Sequence, residues 1–309
     1  MYRKAIQLYV NTILTIALND ILCSYVVNCF LLMSIIKKIF PIVIVALLVY
    51  SCNSETASKP ALPKNQETEK TKLTPMINFT VVKTYPHDTT CFTEGFLFHE
   101  GKLFESSGAP EYLQQTRSAF GIVDLQKGKL NVKGELDKKQ YFGEGIVIVN
   151  NRLYQLTYIN QTGFVYDAKN FQRLGQFSYQ NKQGWGMTTE GKHLIMSDGT
   201  NVLTYLDPKD YRVVKELSVS ENGFALDYLN ELELINGFLY ANVWMKNTIV
   251  KIDTSNGEVV GKLDLTTICN EAKKKNKNSL ELNGIAYDSI SKRILVTGKL
   301  WPEIYEIKF

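Results

Sequence analysis

The sequence predicts an all-β protein, a five-bladed β-propeller, on three observations. First, a Gly- or Asn-led turn followed by a short apolar strand occurs five times: GKLFESSG, NRLYQLTY, KHLIMSDG, GFLYANVW and KRILVTGK. Second, the aligned apolar positions are Leu103, Leu153, Leu194, Leu239 and Ile294, spaced by 50, 41, 45 and 55 residues. Intervals near 40–50 residues suit a blade of four short strands. Third, each copy follows a segment with a polar or Gly-rich start: FTEGFLF, FGEGIVI, GWGMTT, LNELELI or LNGIAYD.

The remaining strands follow in order. In four repeats a third strand ends near an Asp before a turn: GIVDLQKGK, GFVYDAKN, LTYLDPKD and IVKIDTSNGE. Pro fixes φ, Asn and Asp bond their own backbone, and Gly takes positive φ, so each segment favours a turn. The fifth repeat stops after IYEIKF, one strand short. Residues 77–84, INFTVVKT, form a spare strand ahead of the first repeat. It is expected to complete the last blade and close the ring without an open edge. Residues 77–309 leave about 47 residues per blade, enough for one domain with a buried core.

The 309-residue chain has a net charge of +4, much of it from the leader and the lysine-rich run at 273–277. That run is expected to be a solvated loop. No basic stripe interleaves with aromatics, so no nucleic-acid partner is expected. Residues 1–52 form a leader, with Met33 taken as the true start. A positive segment from Met33 to Lys38 precedes an apolar stretch at 39–50, too short to favour spanning. Val49-Tyr50-Ser51-Cys52 resembles a bacterial lipoprotein signal, with Cys52 as the lipidated first mature residue. An uncleaved anchor is the alternative. Residues 53–76, rich in Ser, Thr, Lys, Glu and Pro, are expected to be a flexible tether. The expected location is therefore a bacterial membrane, with the domain in the periplasm or at the cell surface. A monomer is expected.

Only Cys91 and Cys269 fall in the domain, and they are expected to be independent thiols. With no CxxC and with His87, His99 and His193 scattered, neither a zinc site nor a His-based triad is expected.

The repeat register proposes a site. Glu94 and Glu144 each lie nine residues before the aligned Leu, so they are equivalent positions in adjacent blades. Trp185, Asn230 and Asn283 sit at or near the matching entry in the other three. Five residues after the aligned position come Tyr158, Gly199, Trp244 and Lys299. First and second strands run antiparallel, so all these residues should converge on one mouth of the central channel. Glu144 suits a general acid/base with a pKa raised by burial, or equally a carboxylate that accepts backbone N–H groups. Glu94 could share that work, accept structural hydrogen bonds or ligate a cation. Trp185 and Trp244 suit either an apolar site wall or ordinary inter-blade packing. Lys299 could equally be a surface lysine, and Asn230 could bind a carbonyl or cap a turn. Trp301 is expected to be structural, and Asp198 in SDG is expected to serve a turn.

The motifs YPHDTTCFTEGFLF, KLFESSG, FGEGI, LTY, GWGMT, SDGT, LNELE, YANVW, LNGIAYD and VTGKLWP together resemble the plant and bacterial glutamine cyclotransferase family. The resemblance spans about residues 81–307. It implies a five-bladed propeller that turns the N-terminal Gln of peptides or proteins into pyroglutamate, releasing ammonia. It places the catalytic Glu on Glu144 and the substrate-lining residues on Phe92, Phe142, Trp185, Asn230, Trp244 and Lys299. This chain departs from the family at Glu94, where plant members tend to have Gln, at Tyr158 for Trp, and at Gln183 for Glu. No cofactor is implied, and a structural cation in the channel stays open. The residues alone also admit a glycosidase with two carboxylates, or a propeller that only binds.

Overall fold

The computed structural model describes residues 73–309, so the leader, Cys52 and most of the tether lie outside the described residues. The strands form five four-stranded sheets, and the first strand, β1 (Thr80–Pro86), belongs to the last of them. Blade one is β2 (Phe92–His99), β3 (Lys102–Gly108), β4 (Ala119–Asp124) and β5 (Lys129–Glu135). Blade two is β6 (Gly143–Val149), β7 (Arg152–Thr157), β8 (Thr162–Asp167) and β9 (Arg173–Ser178). Blade three is β10 (Met187–Thr189), β11 (Leu194–Met196), β12 (Val202–Leu206) and β13 (Val213–Ser218). A short hairpin, β14 (Ser220–Glu221) and β15 (Phe224–Ala225), follows. Blade four is β16 (Leu229–Ile235), β17 (Phe238–Val243), β18 (Thr248–Asp253) and β19 (Val259–Asp264). A helix, α1 (Thr266–Lys275), leads to blade five, β20 (Leu282–Asp288), β21 (Arg293–Gly298) and β22 (Glu303–Lys308).

The five expected repeats are thus five antiparallel blades. The turns between first and second strands carry positive φ at Glu100, Asn150, Asn151 and Asn236, as tight hairpins require. The Asp at the end of each third strand accepts the N–H two residues on. This holds for Asp124, Asp167, Asp207 and Asp253.

Burial falls outward through each blade. In blade two the innermost β6 is buried along its whole length, whereas the outermost β9 is buried only at Phe177. The innermost strands contact one another around the ring, from β2 through β6, β10, β16 and β20 back to β2. Apolar side chains gather into five clusters, one at each blade interface. The hydrophobic driving force therefore acts mainly between blades.

β1 pairs antiparallel with β22, from Thr80 opposite Lys308 to Pro86 opposite Glu303. The strand begins three residues later than the expected 77–84. Its predecessor Ile77 instead bonds the Lys262 carbonyl, and the Lys262 N–H donates to Pro75. The run at 273–277 differs from expectation too: Lys273, Lys274 and Lys275 form the last turn of α1. There their charge opposes the negative end of the helix dipole. Ile268 and Ala272 of the helix are buried in the cluster between blades four and five. The longest repeat interval, 55 residues, accommodates this helix.

Candidate active site

Four of the five innermost strands change register at one level. The irregularities fall between Thr93 and Gly95, Gly143 and Ile146, Leu229 and Leu232, and Leu282 and Ile285. Glu94, Glu144, Asn230 and Asn283 sit in these bulges. A bulged residue leaves the ladder and its side chain is re-aimed. In blade three, Trp185 takes the same place just ahead of β10. Glycines beside these residues bring the inner strands together. A Cβ on Gly145 would lie 2.5 Å from the Met187 nitrogen, and one on Gly186 would lie 2.1 Å from the Asn230 oxygen. Hydroxyls on, or just after, the second strands steady the next blade's entry. Ser106 donates to the carbonyl of Glu144, and Ser197 donates to that of Asn230.

A cavity of about 810 Å³ opens at this mouth. Phe92, Glu94, Phe142, Glu144, Tyr158, Trp185, Asn230, Trp244 and Lys299 all line it. Every residue expected at the site therefore meets here, apart from Asn283, which stands behind Glu94. The walls are aromatic. The Phe92 and Phe142 rings meet edge to face at 6.0 Å, and Tyr158 lies 6.0 Å from Phe142. Across the mouth, the Trp185 and Trp244 rings are 5.6 Å apart. The Trp185 indole N–H donates to Gln183.

At the base, the Lys299 ammonium donates to Glu94 at 2.7 Å and lies 4.4 Å from the Phe92 ring centroid. The Asn283 amide donates to the other Glu94 oxygen at 3.1 Å. Burial pushes the Glu94 carboxyl up to about 7, against the lowering pull of Lys299 and Asn283. Burial, then the charge of Glu94, raises the Glu144 carboxyl well above the usual range, although Lys299 pulls the other way. Burial lowers the Lys299 pKa, but the two carboxyls outweigh it and hold the amine charged. One cation among two buried carboxyls fits one ionised and one protonated acid. Glu94 holds the direct ion pair, which leaves the proton on Glu144. No hydrogen bond contributes to the Glu144 shift and its side chain faces the cavity, while the Asn230 Oδ1 is a buried acceptor without a partner among the described residues.

Close to Glu94 the fold assembles a His/Cys cluster that the scattered histidines did not foreshadow. His87, Cys91 and Glu105 are buried together. His87 Nδ1 faces the Trp301 carbonyl at 2.9 Å, and Nε2 faces both Glu105 oxygens at 3.0 Å. A carbonyl can only accept, so Nδ1 carries hydrogen. The carboxylate outweighs burial and raises the His87 pKa. Burial also pushes the Cys91 thiol well up, away from the thiolate a metal would need. This donor set fits a buried imidazolium–carboxylate pair better than a metal site. Thr93, next to Glu94, donates to Glu105 at 2.7 Å, so the pair anchors the bulge. Cys91 and Cys269 are both free thiols.

Two expected structural residues behave as such. Trp301 is buried and its indole donates to Leu280. Asp198 holds the Thr200 N–H and hydroxyl in a turn, although it also borders the cavity. Among the lining residues not expected there, Gln183, Tyr228 and Glu281 lie two positions before Trp185, Asn230 and Asn283. Phe92 and Phe142 stand at the same offset from Glu94 and Glu144, so the repeat register held this signal.

Fold and site together define a propeller with an acid–ammonium cluster at the base of an aromatic channel mouth. A family model for glutamine cyclotransferase matches residues 46–309. A glutaminyl-peptide cyclotransferase of Arabidopsis thaliana is 40% identical over 230 residues, covering 74% of this chain and 70% of that protein. The crystal structure of Myxococcus xanthus glutaminyl cyclase aligns with a TM-score of 0.66 at 32% identity, over 74% of this chain and 95% of that one. The chain belongs to the glutamine cyclotransferase family.

Proposed function

We propose that the protein is a glutaminyl-peptide cyclotransferase, which converts the N-terminal Gln of peptides or proteins to pyroglutamate with release of ammonia. The observation that carries this reading is the placement of Glu144, its carboxyl pKa raised by burial well above the usual range, beside a Lys299–Glu94 pair in an aromatic cavity. The neutral α-amine attacks its own γ-carboxamide carbon, forming the ring C–N bond. An amine with a pKa near ~8 has a useful neutral fraction at neutral pH. Glu144 gives its proton to the leaving nitrogen as the C–N bond to ammonia breaks. It then takes the proton released by the attacking nitrogen, so it ends as it began. Such a relay contributes about 10²–10⁴-fold. The Lys299 ammonium stabilises charge developing on the γ-oxygen. The free end of the Asn230 amide hydrogen-bonds the carboxamide. Trp185, Trp244, Tyr158, Phe92 and Phe142 hold the folded side chain in its reactive conformer and exclude water.

A glycosidase would need two carboxyls free to flank a sugar bond. Glu94 is instead committed to Lys299 and Asn283. A propeller that only binds would not require a protonated carboxyl left without a partner. The reaction as drawn uses no cofactor. The direct test is incubation of the purified protein with a Gln-initiated peptide, followed by mass spectrometry for loss of ammonia. An unchanged peptide mass would refute the reading.

The pairing of β1 with β22 is proposed to close the ring, so that removing residues 77–86 would expose the edge of blade five. Export is also proposed, with lipidation at Cys52 holding a monomeric domain at a bacterial membrane. Cys52→Ala should then abolish lipid labelling and release the protein. Retention on membranes after that change would favour an uncleaved anchor.

A further inference from the structure

The aromatic wall does not stop at the cavity. Tyr228, at the rim of the same cavity, lies 5.8 Å from Trp244 ring to ring and is half exposed. Met245 follows Trp244 directly. Tyr228 is 51% exposed and Met245 66%. Both have left-handed backbones, with φ of 69° and 63°. Among the described residues they are the only exposed large apolar side chains with that conformation. Non-glycine residues avoid it because Cβ crowds the backbone, and strain of this kind clusters where ligands are held. Hydrogen bonds fix the arrangement: the Tyr228 N–H donates to Gly199 and the Trp244 N–H donates to Tyr228, both at 2.8 Å. Two strained positions thus hold apolar side chains in solvent, Tyr228 in the wall of the cavity and Met245 next in the chain to the wall residue Trp244.

We propose that Tyr228, Trp244 and Met245 form a second subsite, which binds an apolar side chain at the first or second position after the N-terminal glutamine. The inference rests on the cyclotransferase reading. A glutamine whose amine and carboxamide lie at Glu144 must send the rest of its peptide out through the mouth. The exposed ledge beside Trp244 offers it apolar surface there. The preferred substrates are then polypeptides with an aromatic or aliphatic residue close behind the glutamine. Their preference should appear in KM, because the ledge is remote from the reacting atoms.

The test compares glutaminamide with the peptides Gln-Gly-Gly-Gly, Gln-Phe-Gly-Gly and Gln-Gly-Phe-Gly, on the wild-type protein and on Met245→Gly. Glycine accepts positive φ without strain, so this variant removes the side chain with no folding penalty. The wild type should show a KM about 10-fold lower for at least one Phe peptide than for Gln-Gly-Gly-Gly. Met245→Gly should lose most of that difference, keep its rate on glutaminamide and melt at an unchanged or higher temperature. Equal KM values for all three peptides on the wild type would overturn the subsite while leaving the cyclotransferase reading intact. A preference unchanged in Met245→Gly would also overturn it. Loss of phospholipid-vesicle binding in the variant, without loss of peptide preference, would assign the ledge to a lipid surface instead. No turnover of any of the four compounds would remove the cyclotransferase reading and this proposal with it.

Discussion

Four carboxyls with raised pKa values stand on the innermost strands, and one of them, Glu144, differs from the rest in how its oxygens are occupied. Glu94 and Glu144 stand at the mouth, and Glu231 and Glu233 lie further along β16. Burial raises the pKa of all four. Glu231 accepts the Phe96 N–H with one oxygen and the Ile285 N–H with the other, so it ties blade four to blades one and five. Glu233 accepts the Tyr287 N–H at 2.9 Å. Glu144 accepts nothing from the protein among the described residues and faces the cavity. A buried carboxyl with a raised pKa therefore does not by itself mark a catalytic group. The mark is an oxygen that the fold leaves unused.

The largest expected effect tests that contrast directly. Glu144→Gln nearly preserves shape but cannot relay a proton, so kcat should fall by about 10²-fold or more with the melting temperature unchanged or higher. Near-full activity would erase the distinction between Glu144 and the other three. Glu231→Gln should do the reverse. It places an N–H group against a backbone N–H and should cost about 1–3 kcal/mol of stability in a denaturant titration. A variant of wild-type stability would show that those two backbone bonds hold nothing together.

Glu94→Gln should produce a smaller loss, about 10-fold, because it removes a charge partner rather than the proton carrier. Lys299 would then act on Glu144 without the competing charge of Glu94. The Glu144 pKa should fall, and the alkaline limb of the kcat profile should move to lower pH. A limb that stays in place would separate Glu144 from the ion pair.

The smallest effect concerns Glu233, pushed up from 4.5 to about 8. Between these values the folded state holds a proton that the unfolded state has lost. Stability should therefore decline as pH rises from about 4.5 to 8. The slope from this one group is less than about 1.4 kcal/mol per pH unit. Glu233→Gln should flatten that part of a melting-temperature profile, and an unaltered slope would assign it to other groups.

What the sequence displayed, and what it hid, follows from how far each feature depends on distant partners. Blade number was legible because each second strand repeats an apolar core position between turn residues. Leu103, Leu153, Leu194, Leu239 and Ile294 are all buried. The mouth was legible because repeat symmetry carries Glu94 onto Glu144 and Trp185. The bulges were not, since a register change depends on two strands at once. The His87–Glu105 pair was hidden because its third anchor, Trp301, is 214 residues away. The helix at 266–275 was obscured by its lysines, which suggested solvent although its other face is buried at Ile268 and Ala272.

The serine contacts between blades carry a consequence for redesign. Ser106 holds the carbonyl of Glu144, and Ser197 holds that of Asn230, each from the blade before. The position of a working side chain is thus set partly by its neighbour's second strand. A single blade transplanted into another propeller would leave half of its alignment behind. The smallest unit that could be exchanged with its chemistry intact runs from the second strand of one blade through the first strand of the next.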